Sequence, residues 1–184
     1  MSDNLQAQPN KRLYIFGKNG TICKSVIQKS GKSSPPNTLD EQDYWPDVAD
    51  VCFGLRLQGH RLAVVSNEGG VAFGIFSADD ANLLVKAAAD YIAADAYRVC
   101  CNHPKGNTPP YNTDSPNRLP QPGMLVELMH ELGFLPSETT FVDDWDTSKR
   151  AAELIGCEFI FAHQFFKRVD PFADRLHAAM DIQE

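Results

Sequence analysis

No apolar run in the 184 residues approaches the ~20 needed for a membrane-spanning helix, so a helical membrane protein is not expected. Positive charge is also scarce: 17 Lys and Arg stand against 24 Asp and Glu, a formal net charge of −7. That balance gives no broad electrostatic footprint for nucleic acid or an anionic membrane, although a local basic patch is compatible with it. The five cysteines cannot all pair, and nothing at the N-terminus reads as a secretory leader. Free thiols in a reducing, cytoplasmic setting are therefore expected. Internal repeats and low-complexity tracts are missing too. What remains, 43% apolar and 22% charged, suits one soluble globular domain with a sizeable core. Residues 1–10 are polar and read as a flexible N-terminus, with residues 11–184 as a single domain.

The chain is organised around Leu13–Ile22. An apolar run, Leu13 to Phe16, stops at Gly17 and is followed by Asn19-Gly20, a strong turn signal because both residues tolerate positive φ. Downstream, helical and strand patterns alternate. A helix is predicted from Pro46 to Gly59, with Val48, Val51, Cys52, Leu55 and Leu57 on its buried face. A strand over Arg61–Val65 leads to Ser66-Asn67. A helix capped by Ser77 runs to about Ala94, its apolar side including Leu83, Leu84, Ala88 and Tyr91. Tyr97–Cys101 is a third strand. After the helix at Gly123–Leu132 come a strand at Thr139–Val142 that ends on Asp143-Asp144, a helix at Asp146–Ile155 and a strand at Cys157–Ala162. A last helix fits Asp170–Met180. Two long polar stretches read as loops: Cys23–Tyr44, and Asn102–Pro122, which carries prolines at 104, 109, 110, 116 and 120 before Pro122. Right-handed crossovers then give a doubly wound, three-layer, Rossmann-like α/β fold with about five parallel strands and no large cap domain. In such sheets ligands sit at the C-terminal strand edge.

Four segments at that edge carry a resemblance. Leu13–Thr21 resembles the first motif of the haloacid dehalogenase-like phosphatases, an apolar strand followed by Asp-x-Asp-Gly-Thr. Val64–Gly74 is similar to the second motif as it reads in the capless subgroup of heptose bisphosphate phosphatases and polynucleotide 3′-phosphatases. Leu119–Met124 and Phe141–Ala152 resemble the third and fourth. The resemblance covers roughly residues 13–166 and implies the superfamily's fold. It also implies a phosphate site at Thr21, Ser66 and Asn67, and a magnesium site that would retain Asp144 and, as an altered ligand, Asp143.

Against that pattern, four positions depart. Gly17 stands where the resemblance puts the nucleophilic Asp, and a glycine has no nucleophile. Asn19 replaces the general acid/base, and an amide does not trade protons near neutral pH. Leu119 replaces the lysine that neutralises the phosphate; Lys18 and Arg118 are near enough in sequence to be considered as substitutes. Ser148 replaces the second metal-binding Asp. Asp143 and Asp146 are read first as solvated carboxylates at a loop end and a helix N-terminus. Cys101-Asn102-His103 resembles half of the subgroup's zinc loop, but Ser115 and Asn117 occupy the other two ligand positions, and a structural zinc needs about four ligands.

The expectation is therefore a catalytically degenerate phosphatase-like protein with no catalytic residues and neither magnesium nor zinc as cofactor. It would act through a protein partner, with the two long loops as contact surface and Tyr111 and Trp145 as interface candidates beside Tyr44 and Trp45. The alternatives are a phosphomonoesterase with an altered metal site, and a binder that holds a small phosphorylated ligand without hydrolysing it.

Overall fold

The structure is a computed structural model describing residues 11–27 and 33–168; the expected N-terminal segment and the helix over Asp170–Met180 lie outside the described residues. Five parallel strands form the central sheet in the order β5-β4-β1-β6-β7. They are β1 (Leu13–Gly17), β4 (Arg61–Asn67), β5 (Ala96–Cys100), β6 (Thr139–Asp143) and β7 (Glu158–Phe161). Helices α1 (Pro46–Leu57), α2 (Ala78–Tyr91), α3 (Gly123–Leu132), α4 (Asp146–Ile155) and the short α5 (Ala162–Phe165) complete it.

The strands read as continuous apolar runs because both faces are covered. Alternation sorts each strand's side chains between two cores. Leu13 and Ile15 of β1, Ala63 and Val65 of β4 and Phe141 of β6 pack with Met124, Leu125, Leu128 and Ala151 of α3 and α4. Phe16, Leu62, Val64 and Val142 face the other way, onto Val48, Cys52, Val85 and Ala88 of α1 and α2. The helix ends follow local chemistry. Pro46 opens α1, a reciprocal Ser77–Asp80 capping box opens α2, and Gly133 and Gly156 close α3 and α4 in the left-handed conformation.

Three details differ from the sequence reading. Leu57 and Leu83, placed on buried faces, are 73% and 50% exposed, because the helical stripe that reaches the sheet is narrower than the run of apolar residues. The stretch expected as one long loop contains a two-stranded hairpin, β2 (Val26–Ile27) and β3 (Ser33–Ser34), and a 3₁₀ turn at Leu39–Glu41. Its start, Cys23, is fully buried, and burial pushes that thiol up to about 12. Tyr44 and Trp45 are built into the core rather than offered as anchors: Tyr44 stacks on Tyr91 at 4.2 Å, and the Arg168 guanidinium covers the Trp45 ring at 4.5 Å. No described helix is long and apolar enough to cross a membrane.

Candidate functional site

The parallel register brings the strand ends level. Gly17 pairs with Val65 across β1–β4, Phe16 with Val142 across β1–β6, and Asp143 with Phe161 across β6–β7. The residues just after those positions, Lys18–Thr21, Ser66–Glu68 and Asp143–Asp144, therefore converge on one edge.

At their centre is a substitution in space. A Cβ built on Gly17 would lie 2.3 Å from Asp143 Cγ and 2.4 Å from each of its carboxylate oxygens. The carboxylate of β6 occupies the volume that a side chain on β1 would need. Asp143 is 3% exposed, which corrects its reading as a solvated loop-end carboxylate; Asp146, in the first turn of α4, is exposed. Both Asp143 oxygens are engaged. Oδ1 accepts from the Thr21 hydroxyl at 3.0 Å and the Asp144 amide at 2.9 Å, and Oδ2 from the Ser148 hydroxyl at 2.6 Å. Burial pushes the carboxyl up to about 6, against these hydrogen bonds, which pull it down.

A buried ion pair lies beside it. Lys18 Nζ and Glu68 Oε1 are 2.8 Å apart, with side chains 0% and 2% exposed. The Ser66 hydroxyl donates to Glu68 at 2.7 Å. Lys18, weighed as a replacement for the lysine lost at position 119, is thus committed to Glu68. Asn67 is spent on the backbone of the next loop: its amide nitrogen donates to Leu119 O and its Oδ1 accepts from Leu119 N, both at 3.1 Å. Leu119 itself is buried in the apolar core. Asp144 Oδ1 meets the ring and backbone nitrogens of His163 at 2.9 and 3.1 Å. Above the turn, the Trp145 indole donates to Asn19 O at 3.3 Å, while Arg168 donates to Thr21 O at 3.0 Å.

A magnesium ion takes oxygens in near-octahedral array, usually including one or two carboxylates. Glu68, Asp143 and Asp144 supply carboxylates here, but each is held by protein donors, and the cation already present is Lys18. Asn19 Oδ1 is buried without a partner; one amide oxygen does not make a cage. The residues do not fit the ion. Among the described residues no three His, Cys, Asp or Glu side chains group as metal ligands.

Glu68, Lys18 and His163 were not picked out from the sequence as a group, Lys18 being considered only as a substitute for the lysine at position 119. For the first two a signal existed, since a lysine and a glutamate directly follow the buried runs of strands that turned out to be neighbours. For His163 none did, because its contact depends on how α5 folds back.

Next to this edge, a pocket of about 520 Å³ has His103, Asp114, Ser115, Arg118, Leu119 and Gln121 among its lining residues. Arg118 donates to Asn102 O at 2.8 Å and forms no ion pair among the described residues.

No family model matches the chain. It is 27% identical over 121 residues to the D-glycero-β-D-manno-heptose-1,7-bisphosphate 7-phosphatase of Photorhabdus laumondii, covering 63% of this chain and 64% of that one. It is 29% identical over 96 residues to the enzyme of the same name from Rhodopseudomonas palustris, covering 50% and 53%. The chain thus spans between about half and just under two thirds of these curated relatives. The fold overlays on the D,D-heptose 1,7-bisphosphate phosphatase of B. bronchiseptica, solved with magnesium and phosphate, with a TM-score of 0.64 at 20% identity, over 80% of this chain and 78% of that one. The chain is thus similar in sequence to heptose bisphosphate phosphatases and shares the α/β fold of haloacid dehalogenase-like phosphatase structures. The sequence resemblance sets Gly17 where the nucleophile is expected, Asn19 at the acid/base, Leu119 at the lysine and Ser148 at the second metal-binding Asp. The structure places Gly17 and Ser148 against Asp143 and turns Leu119 into the core.

Proposed function

We propose that this chain is a phosphatase-fold binding protein that does not carry out the superfamily's covalent phosphoryl transfer. One observation carries the reading: the Asp143 carboxylate fills the space in front of Gly17. A phosphoryl group approaching the end of β1 meets a fully bonded, buried carboxylate. The two hydroxyls that the resemblance assigns to phosphate, on Thr21 and Ser66, both donate to carboxylates instead. Three carboxylates line the edge, and the buried lysine beside them is already paired with Glu68, an arrangement poorly suited to an anion. Losing a nucleophile alone removes several orders of magnitude of rate in hydrolases. The protein's remaining assets are its surfaces, and its partner in this reading is a protein.

Kinship favours a second reading, and favours it more than the binding role: the relatives named above are bisphosphate phosphatases. The Arg118 pocket adds an observation of its own, because a half-buried guanidinium that forms no ion pair among the described residues is an anion contact, even with Asp114 in the same lining. In that reading the chain takes a phosphorylated small molecule in the pocket and is a phosphomonoesterase with an altered site.

Phosphate release from D-glycero-β-D-manno-heptose 1,7-bisphosphate and from p-nitrophenyl phosphate, with and without magnesium, separates the two. The expected result is release no faster than from an Asp144→Ala control. Turnover well above that control, abolished by Asp143→Asn, would establish the phosphomonoesterase.

A further inference from the structure

A second pocket of about 520 Å³ lies between the 3₁₀ turn at Leu39–Glu41 and the start of α2. Its floor is Leu84, fully buried at 1% exposure. Its walls are Leu39, Ile75 and Leu83, which are 51%, 61% and 50% exposed, together with Phe76. These are large aliphatic groups left in water side by side, which single scattered surface residues are not. The walls are fixed in place. The Gln42 side chain donates to Leu84 O at 2.9 Å, tying the 3₁₀ segment to α2. Phe76 lies against Gly70, so closely that a Cβ there would come within 2.4 Å of the ring. The groove is thus preformed, and an occupant does not have to order it.

The lining has one sign of charge. Asp40 and Asp80 stand among the lining residues and, among the described residues, no Lys, Arg or His does. Glu41 and Asp79, next to them in the chain, are exposed and extend the acidic rim. An apolar trough with an acidic border is complementary to an apolar anchor flanked by basic residues.

We propose that this groove is a docking site for a protein segment that places one or two aliphatic or aromatic side chains over Leu84, with Lys or Arg on either side facing Asp40 and Asp80. The proposal rests on the binding-protein reading and names the chemistry of its partner. The acidic rim disfavours a second copy of this chain, whose own groove face carries the same charge.

A random dodecapeptide library panned on the protein, with counter-selection on Leu83→Glu, tests it. Enriched peptides carry a Leu, Ile or Phe anchor with Lys or Arg within a few positions. The best of them, made synthetically, loses at least tenfold in affinity with Leu83→Glu or Ile75→Glu, and several-fold with Asp40→Asn or on raising the salt to 0.5 M. Leu39, Ile75 and Leu83 are half exposed, so the variants keep the parent melting temperature. Enrichment of uncharged or acidic-flanked peptides, or of none that distinguishes the parent from Leu83→Glu, would overturn the proposal. So would a dimer, seen by sedimentation equilibrium, that Leu83→Glu dissociates. Each of these outcomes is independent of phosphate release, so the groove and the inactivity of the strand edge stand or fall separately.

Discussion

Gly17 and Asp143 share one side-chain volume. Gly17→Asp places two carboxylates in it and is expected to destabilise the fold by several kcal/mol through overpacking and like-charge burial. In the double variant Gly17→Asp/Asp143→Gly the carboxylate returns to β1 within reach of Thr21 and Ser148. Its stability should exceed that of Gly17→Asp alone, with a coupling of more than about 1 kcal/mol in a urea-denaturation cycle. Additive effects would show that the two sites are independent. The Asp143 carboxyl also sets a pH signature. Its folded value of about 6 lies above that of an unfolded chain, so the folded state holds the proton more tightly. The stability it supports is full below about pH 4 and is lost as the pH rises to about 6, a loss on the order of 3 kcal/mol. Asp143→Asn has no proton to lose over this range. Urea midpoints at pH 4.5 and pH 7 should therefore move in favour of the variant at the higher pH; a constant difference would contradict the burial of an ionising group. The sequence reading had the departures at 17, 19, 119 and 148 but took Asp143 for solvated. A residue's proximity to a glycine 126 positions away in the chain leaves no local signal.

Among the elements, the ends of β1 and β4 are pinned together by Lys18 and Glu68. Breaking such a pair from one side strands a charge in a dry site. Lys18→Met should cost about 3–5 kcal/mol, and Lys18→Met/Glu68→Gln should recover most of that, because the glutamine still accepts from Ser66 without carrying a charge. If the double variant is no more stable than the single, the pair is not the connection that the 2.8 Å contact indicates. The five parallel strands and the four long helices were legible because buried strands announce themselves as apolar runs and the helices by their caps, as at Ser77 and Gly156. Element ends were less so. Leu57 ends α1 beyond the sheet that would cover it, and Leu83 lies within α2 outside the stripe that reaches the core; whether a covering element exists is a fact of tertiary structure. The hairpin Val26–Ile27/Ser33–Ser34 is too short to show a period at all.

For the molecule as a whole, the end of β1 is filled by the Asp143 carboxylate, while two open features stand among the described residues: the Arg118 pocket and the acidic-rimmed groove. Function does not travel with the fold, and here the two readings differ in which of those openings is occupied. The sheet order carries one more consequence, and it concerns synthesis. β1 is the middle strand, yet it precedes every neighbour in the chain: Leu13 finds Arg61 on one side and Thr139 on the other. On the ribosome its first flank can be covered early, but the second stays bare until β6 has emerged, more than a hundred residues later. During that interval the nascent protein shows an unpaired apolar strand edge, the feature most prone to pairing with another chain. Translation stalled between α3 and β6 would release the most aggregation-prone fragment that this protein can make.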